Sequence, residues 1–402
     1  MNSDEKKETV FESEANATAS EVNNAVVETS NEKTEATEGL AEEAENEEVS
    51  KEELASEWNG YGLDLIKMGK YREAISAFDK ALELEPENIY LLNNKAAALE
   101  GLGNYEEALK LYEKAVTIDS QDPDLWNNMA FSYSQVGDCE KAVEAYSKAL
   151  EINPEYPNAL YGKALNLNQA GRYEEALRAY EKVLSEDPNY KEAWVGKGIA
   201  FGQLRRFDEA VIAYDRAIEL DPNFSEAWYY KGVDMDNLGN PGLALKAYEK
   251  ALELDPENDD AWNNMGIDLE NLEKYEEALE AFEKAIKLNP KNPDVWYNKG
   301  FTLTRMQKFE KAAEAYKKAV ELDPYYLEAC TSLGFILAQV QRFEEALGYY
   351  EKALDIDPEV SDAWFGKAVC LSHLNRAGEA EAALKKAVEL NPQYGEMLGK
   401  GQ

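Results

Sequence analysis

The sequence predicts an all-α protein, an α-solenoid of ten tandem helix pairs behind an acidic tail, and three series of residues carry that prediction. Trp58, Trp126, Trp194, Trp228, Trp262, Trp296 and Trp364 are all the tryptophans of the chain, and every gap between them is 34 residues or a multiple of it. Pro86, Pro154, Pro188, Pro222, Pro256, Pro290, Pro324, Pro358 and Pro392 keep the same step, broken only by Ser120. Ala74, Ala108, Ala142, Ala176, Ala210, Ala244, Ala278, Ala312, Ala346 and Ala380 keep it without exception. A fixed period of this size marks stacked supersecondary units, none of which can bury its apolar face alone. The units fall at 55–88, 89–122, 123–156, 157–190, 191–224, 225–258, 259–292, 293–326, 327–360 and 361–394.

Ahead of them, residues 1–54 carry 17 acids and 4 lysines, a net charge of −13, with Phe11 as the one aromatic. Such a segment cannot bury enough apolar surface to offset its ordering entropy, so it is expected to be disordered. Asn16-Ala17-Thr18 fits the glycosylation pattern but has no secretory signal beside it.

Each unit reads as two helices. Trp262, Gly266, Leu269 and Leu272 lie at helical spacing and mark the apolar stripe of the first. After Tyr275, residues Ala278, Phe282, Ala285 and Ile286 mark the second. Glu276 and Glu277 suit its N-terminal dipole, and Pro290 stops it. Gly266 and Ala278 are the expected points of closest helix approach, with Trp262 and Phe282 filling the volume around them. Nothing in the repeats reads as a strand. The last eight residues, 395–402, follow with no capping helix expected after Pro392.

Composition narrows the function. The chain has 402 residues and a formal charge of −38, with one histidine and three cysteines. That charge repels nucleic-acid phosphates and anionic membranes, so neither is an expected partner. No apolar run is long enough to span a membrane and no signal core opens the chain, which points to a soluble, cytoplasmic protein. Cys139, Cys330 and Cys370 are far apart and read as reduced, buried small hydrophobes. His373, alone, reads as a polar surface residue.

No catalytic, cofactor or metal pattern emerges. The pair Asp234 and Asp236 invites a metal reading, but residues two apart on a helix diverge by about 200° and cannot grip one ion. Both are expected at the surface, Asp236 on the ligand-facing side. Residues 255–262, DPENDDAW, lack the glycine and distant glutamate of a calcium loop. Gly196, Gly198 and Gly202 miss dinucleotide-loop spacing and lie within a helix. No cofactor is expected.

The recurring set Trp194, Gly198, Phe207, Ala210, Tyr214, Ala217, Pro222 resembles the tetratricopeptide repeat (TPR) family, over about 85% of the chain. Leu92, Leu160 and Cys330 stand where tryptophan is usual, and Pro241 where the inter-helix aromatic is. The resemblance implies a right-handed superhelix whose first helices line a concave groove. It places groove positions two before the tryptophan and one, two, five, eight and nine after it. The family's lysine-based carboxylate clamp is missing, since the position two before holds acids such as Glu192, Glu226, Asp260 and Asp294. With Asn127, Asn128, Tyr161, Tyr229, Tyr230, Asp236, Asn263, Asn264, Tyr297, Asn298 and Phe365, these make the candidate peptide-binding groove.

Amides that can bond an extended backbone, tyrosine rings and acids suit a basic, aromatic-containing peptide of another protein. The leading expectation is therefore a non-catalytic scaffold or adaptor. The asparagine-lined repeats also resemble the array of protein O-linked N-acetylglucosamine transferases, but with ten residues after Pro392 a transferase domain is not expected. A base-reading solenoid conflicts with the charge. Self-association through the uncapped tenth unit is the remaining alternative.

Overall fold

The computed structural model describes residues 50–395. Twenty helices follow one another from Lys51 to Leu390, and no strand occurs among the described residues. By contact the chain divides between Val183 and Leu184 into two compact units. The first holds α1 (Lys51–Lys67), α2 (Tyr71–Leu84), α3 (Ile89–Glu100), α4 (Tyr105–Ile118), α5 (Pro123–Gln135), α6 (Cys139–Ile152), α7 (Pro157–Gln169) and most of α8 (Tyr173–Glu186). The second holds α9 (Lys191–Gln203), α10 (Phe207–Leu220), α11 (Ser225–Asn237), α12 (Pro241–Leu254), α13 (Asp259–Asn271) and α14 (Tyr275–Leu288). It continues through α15 (Pro293–Arg305), α16 (Phe309–Leu322), α17 (Leu327–Gln339), α18 (Phe343–Ile356), α19 (Ser361–His373) and α20 (Ala377–Leu390). Odd-numbered helices are the first of each pair, and some neighbouring odd-numbered helices within a unit also touch, as α1 does α3 and α17 does α19.

Helix α1 starts at Lys51, within the stretch expected to be disordered. Ser50 accepts the Glu53 amide at 3.2 Å, and the Glu53 carboxylate accepts the Ser50 amide at 2.9 Å. This reciprocal cap satisfies two orphan donors and carries the helix upstream of residue 55. Residues 1–49 lie outside the described residues. At the other end the backbone is helical again over 393–395, where no such turn was expected.

Tryptophan and the proline six residues before it meet in a recurring contact. The indole N–H of Trp194 donates to the Pro188 carbonyl at 2.9 Å, and Trp228, Trp262, Trp296 and Trp364 donate to Pro222, Pro256, Pro290 and Pro358 at 2.8–3.2 Å. Trp126 keeps the bond at 3.0 Å with Ser120, the residue that breaks the proline series. What the indole needs is a carbonyl, which any residue supplies.

The recurrent glycine is a notch for a ring. A Cβ on Gly266 would stand 2.6 Å from the Phe282 ring, and one on Gly198 2.3 Å from that of Tyr214. The glycine thus makes room for the aromatic of the second helix, where sequence had it meeting an alanine. Phe282 and Tyr214 are 1% exposed as a result.

Each first helix ends in a left-handed residue that closes the turn; in α1, Gly69 (φ 71°) precedes the bond from the Lys70 amide to the Leu65 carbonyl at 2.9 Å. Five turns lack glycine and hold Arg205, Glu273, Gln307, Gln341 and Asn375 at φ 57–61°. A side chain there is strained by about 1 kcal/mol or more. Gln307→Gly is therefore expected to raise the free energy of unfolding by ~0.5–1 kcal/mol, and Gly239→Ala to lower it by about as much. Chemical denaturation of both variants checks the pair.

One single-residue expectation changes and another holds. Cys330 and Cys370 are buried, whereas Cys139, at the start of α6, is half-buried. His373 is exposed but lies flat on Phe343, with ring centroids 4.2 Å apart.

Candidate functional site

On each first helix the residues two before the tryptophan position and two, five and nine after it share one face. On α15 these are Asp294, Asn298, Phe301 and Arg305, and on α17 Glu328, Ser332, Phe335 and Gln339.

The asparagines of this face bond to one another. In the first unit Asn94 donates to Asn59 at 2.9 Å and Asn128 to Asn93 at 3.0 Å, while Asn127 donates to Asn128 at 3.3 Å. In the second unit Asn298 donates to Asn263 at 3.1 Å, and Asn263 to Asn264 at 3.4 Å. The link from one helix to its next odd-numbered neighbour spans 35 residues, one period plus one. Each amide nitrogen keeps a second hydrogen and each oxygen a second lone pair.

The tyrosines pack into the wall. Tyr161 lies edge-on to Tyr180 at 6.3 Å. Tyr230 stacks on Tyr214 at 6.2 Å, Tyr229 meets Tyr230 at 5.1 Å, and Tyr297 tilts against Tyr326 at 5.2 Å. Burial, with Asp260 nearby, pushes the Tyr229 phenol above its ordinary range. Phe365 stacks on Tyr394 at 4.4 Å, so the residues after Pro392 continue the aromatic row.

The acids are partly engaged as well. Tyr156 donates to Asp124 at 2.6 Å, Tyr394 donates to Asp362, and the Tyr326 hydroxyl faces Asp294. Glu192 lies 3.8 Å from Lys191. Asp260 and Asp294 stay exposed, and Glu226 is half-buried.

Two of the acid placements are corrected. Asp234, expected at the surface, is 4% exposed and accepts hydrogen bonds from Tyr214 Oη and Asn237, both at 3.2 Å. Asp236, expected to face the ligand, turns down to accept from Tyr248 Oη at 2.7 Å. The positions six and eight after the tryptophan belong to a polar layer beneath the face. Ser132, Asn166, Asp268 and Thr302 are buried in it at the first of those positions. The hydroxyls of the second-helix tyrosines point into this layer, and the 34-residue register of Tyr112, Tyr180, Tyr214, Tyr248 and Tyr316 is the sequence signal that finds it.

Sequence reasoning also missed Phe301 and Phe335, which are 42% and 49% exposed on adjacent first helices. Their register, five after the tryptophan position, was legible. Among the described residues no group of three or more metal-ligating side chains gathers, and no helix is long and apolar enough to cross a membrane.

Comparison with known proteins agrees with this architecture. Models described as tetratricopeptide repeat match residues 62–123, 122–185, 168–223, 195–233, 225–258 and 337–399. The cytochrome c-type biogenesis protein H TPR domain matches residues 242–363. The chain belongs to the tetratricopeptide repeat family, whose arrays serve in general as protein-interaction scaffolds. No curated protein matches the chain at a significant level. Among solved structures, a tetratricopeptide repeat protein from Parabacteroides merdae is 22% identical, with 62% of this chain and 98% of that one covered, at TM-score 0.52. The C-terminal part of a TPR repeat-containing protein from Cytophaga hutchinsonii is 21% identical, covering 58% and 95%, at TM-score 0.50. YrrB, a TPR protein with an unusual peptide-binding site, is 29% identical, covering 46% and 96%, at TM-score 0.40.

Proposed function

We propose that the protein is a non-catalytic scaffold that holds extended segments of other proteins against the faces of its first helices. The observation that carries this reading is the exposure of Phe301 and Phe335, 42% and 49%, on one helical face with Asp294 and Glu328. Large apolar side chains in water flanked by acids are a surface that gains by being covered. The complementary segment carries Lys or Arg to meet the acids and an apolar or aromatic side chain to cover the rings. The free halves of the Asn263 and Asn298 amides can bond its backbone.

Calorimetry with synthetic peptides pairing Lys or Arg with Leu or Phe, against peptides of the same apolar content with Glu in place of the bases, tests the reading. The basic set is expected to bind, and to weaken as salt is raised from ~0.05 to ~0.5 M. Phe301→Ala with Phe335→Ala is expected to weaken it by about 10-fold or more. Equal binding of both sets, or full binding by the double variant, would sink the proposal.

A further inference from the structure

The polar layer beneath the first helices is matched donor to acceptor at most of its joints. Ser132 donates to Glu100 at 2.6 Å, Tyr214 to Asp234 at 3.2 Å, and Thr304 to the Tyr316 hydroxyl at 3.3 Å. One joint sets acid against acid. Between α11 and α13 both facing residues are carboxyls, Asp236 and Asp268. Asp236 Oδ2 takes the hydroxyl of Tyr248, but Asp236 Oδ1 and Asp268 Oδ2 are both buried and have no donor. Asp268 is 3% exposed.

Two ionised carboxylates cannot share a buried site, and a buried acceptor without a donor is costly. Either a cation or a proton must lie between them. No third ligating side chain gathers there to complete a metal site. The neighbouring elements bring no countercharge either. Tyr229 and Asp234 on α11 and Tyr248 on α12 are phenols and an acid, and α14 presents Phe282 in the place of a tyrosine. Glu270, the next acid on α13, lies instead 3.8 Å from Arg305, which spends that cation elsewhere.

We propose that Asp236 and Asp268 hold a single proton between them, as a carboxylic acid donating to a carboxylate, and that this shared proton latches α11 to α13. Loss of the proton leaves two like charges in a buried joint, and the latch opens. The inference rests on the fold and is independent of what the outer face binds. Burial holds both carboxyls above the ordinary carboxylate range; Asp236 beside it raises Asp268 further, while the hydrogen bonds with Tyr248 and Asp268 pull Asp236 partly back. An acid so raised binds a proton in the folded state that it releases on opening. Its stabilisation is therefore full at low pH and lost as pH rises through the folded value.

Amide hydrogen exchange of the full-length protein, followed by mass spectrometry over peptides of α11–α13 from pH 6 to pH 9, tests the latch. Once corrected for intrinsic rates, protection is expected to fall with pH by up to about tenfold per unit, the slope for one proton lost on opening. Asp268→Asn places a permanent donor beside Asp236 and is expected to flatten that slope, as is Asp236→Asn. Identical slopes in wild type and both variants would overturn the proposal, as would loss of protection by both amides at every pH. Protection at pH 8 that rises with added Ca²⁺ or Mg²⁺, and does so only while both acids are present, would replace the proton by a cation and overturn it equally.

Discussion

Phe282→Ala is expected to cost ~3–5 kcal/mol, the cost of removing a ring that fills its site. The ring is 1% exposed and lies in the notch opened by Gly266, so little around it can collapse into the space it leaves. Gly266→Ala is expected to cost ~1–3 kcal/mol for the opposite reason, since its new methyl would begin 2.6 Å from the ring. Combined, the two changes are expected to cost less than their sum by ~1 kcal/mol or more, because the methyl then occupies volume that the ring has vacated. Denaturant titration of the two single variants and the double closes the cycle. Strict additivity would mean that glycine is recurrent for a backbone reason and not as a notch. The same cycle on Gly198 and Tyr214, where the approach is 2.3 Å, is a second instance in the same unit.

The tight packing explains why so much of the fold was legible. A 34-residue unit must offer the same volumes to its neighbour above and below, so Trp262, Gly266, Ala278 and Phe282 reappear at fixed steps and announce helix pairs. Period alone does not say which recurring residues touch. Trp and Pro rose from the sequence as two signals, and period alone did not show that the indole of Trp228 or Trp262 donates to the carbonyl of the proline six before it. The asparagines were placed on the correct helices, yet their pairing at 35 residues depends on how neighbouring first helices lie side by side. The error over Asp234 is of another kind. Its divergence from Asp236 is real, one carboxyl turning to Tyr214 and the other to Tyr248. The step from divergent to solvated assumed that a helix has a wet side there, whereas in an array both sides are covered by neighbouring pairs. Phe301 and Phe335 stand five after the tryptophan position, a groove position in the family pattern, and were left out of the candidate set.

Glu100 shows how that covered layer makes stability depend on pH, and Glu100→Gln is expected to change the dependence by ~2–3 kcal/mol. Burial raises the carboxyl from 4.5 to about 7, against the opposing pull of the Ser132 and Tyr112 hydroxyls. A shift of that size is worth some 3 kcal/mol at most, reduced by the partial exposure of the side chain. Because the folded value is the higher one, the folded state keeps a proton that the opened state releases. The contribution is complete below the unfolded value near 4.5 and is lost as pH rises through about 7. Wild-type protein is therefore expected to lose protection against hydrogen exchange in α3–α5 between pH 5 and pH 8, by about 30- to 100-fold. Glutamine has no charge to uncover, keeps an acceptor for the Ser132 hydroxyl 2.6 Å away, and should hold α3–α5 closed across the same range. Ser132→Ala should do the reverse at high pH: the ionised carboxylate loses its donor, and the fall becomes steeper by ~1–2 kcal/mol. If instead wild type and Glu100→Gln lose protection in parallel, Glu100 is charged in the folded protein at neutral pH. Water would then reach its carboxylate, and the layer beneath α3 would be wet.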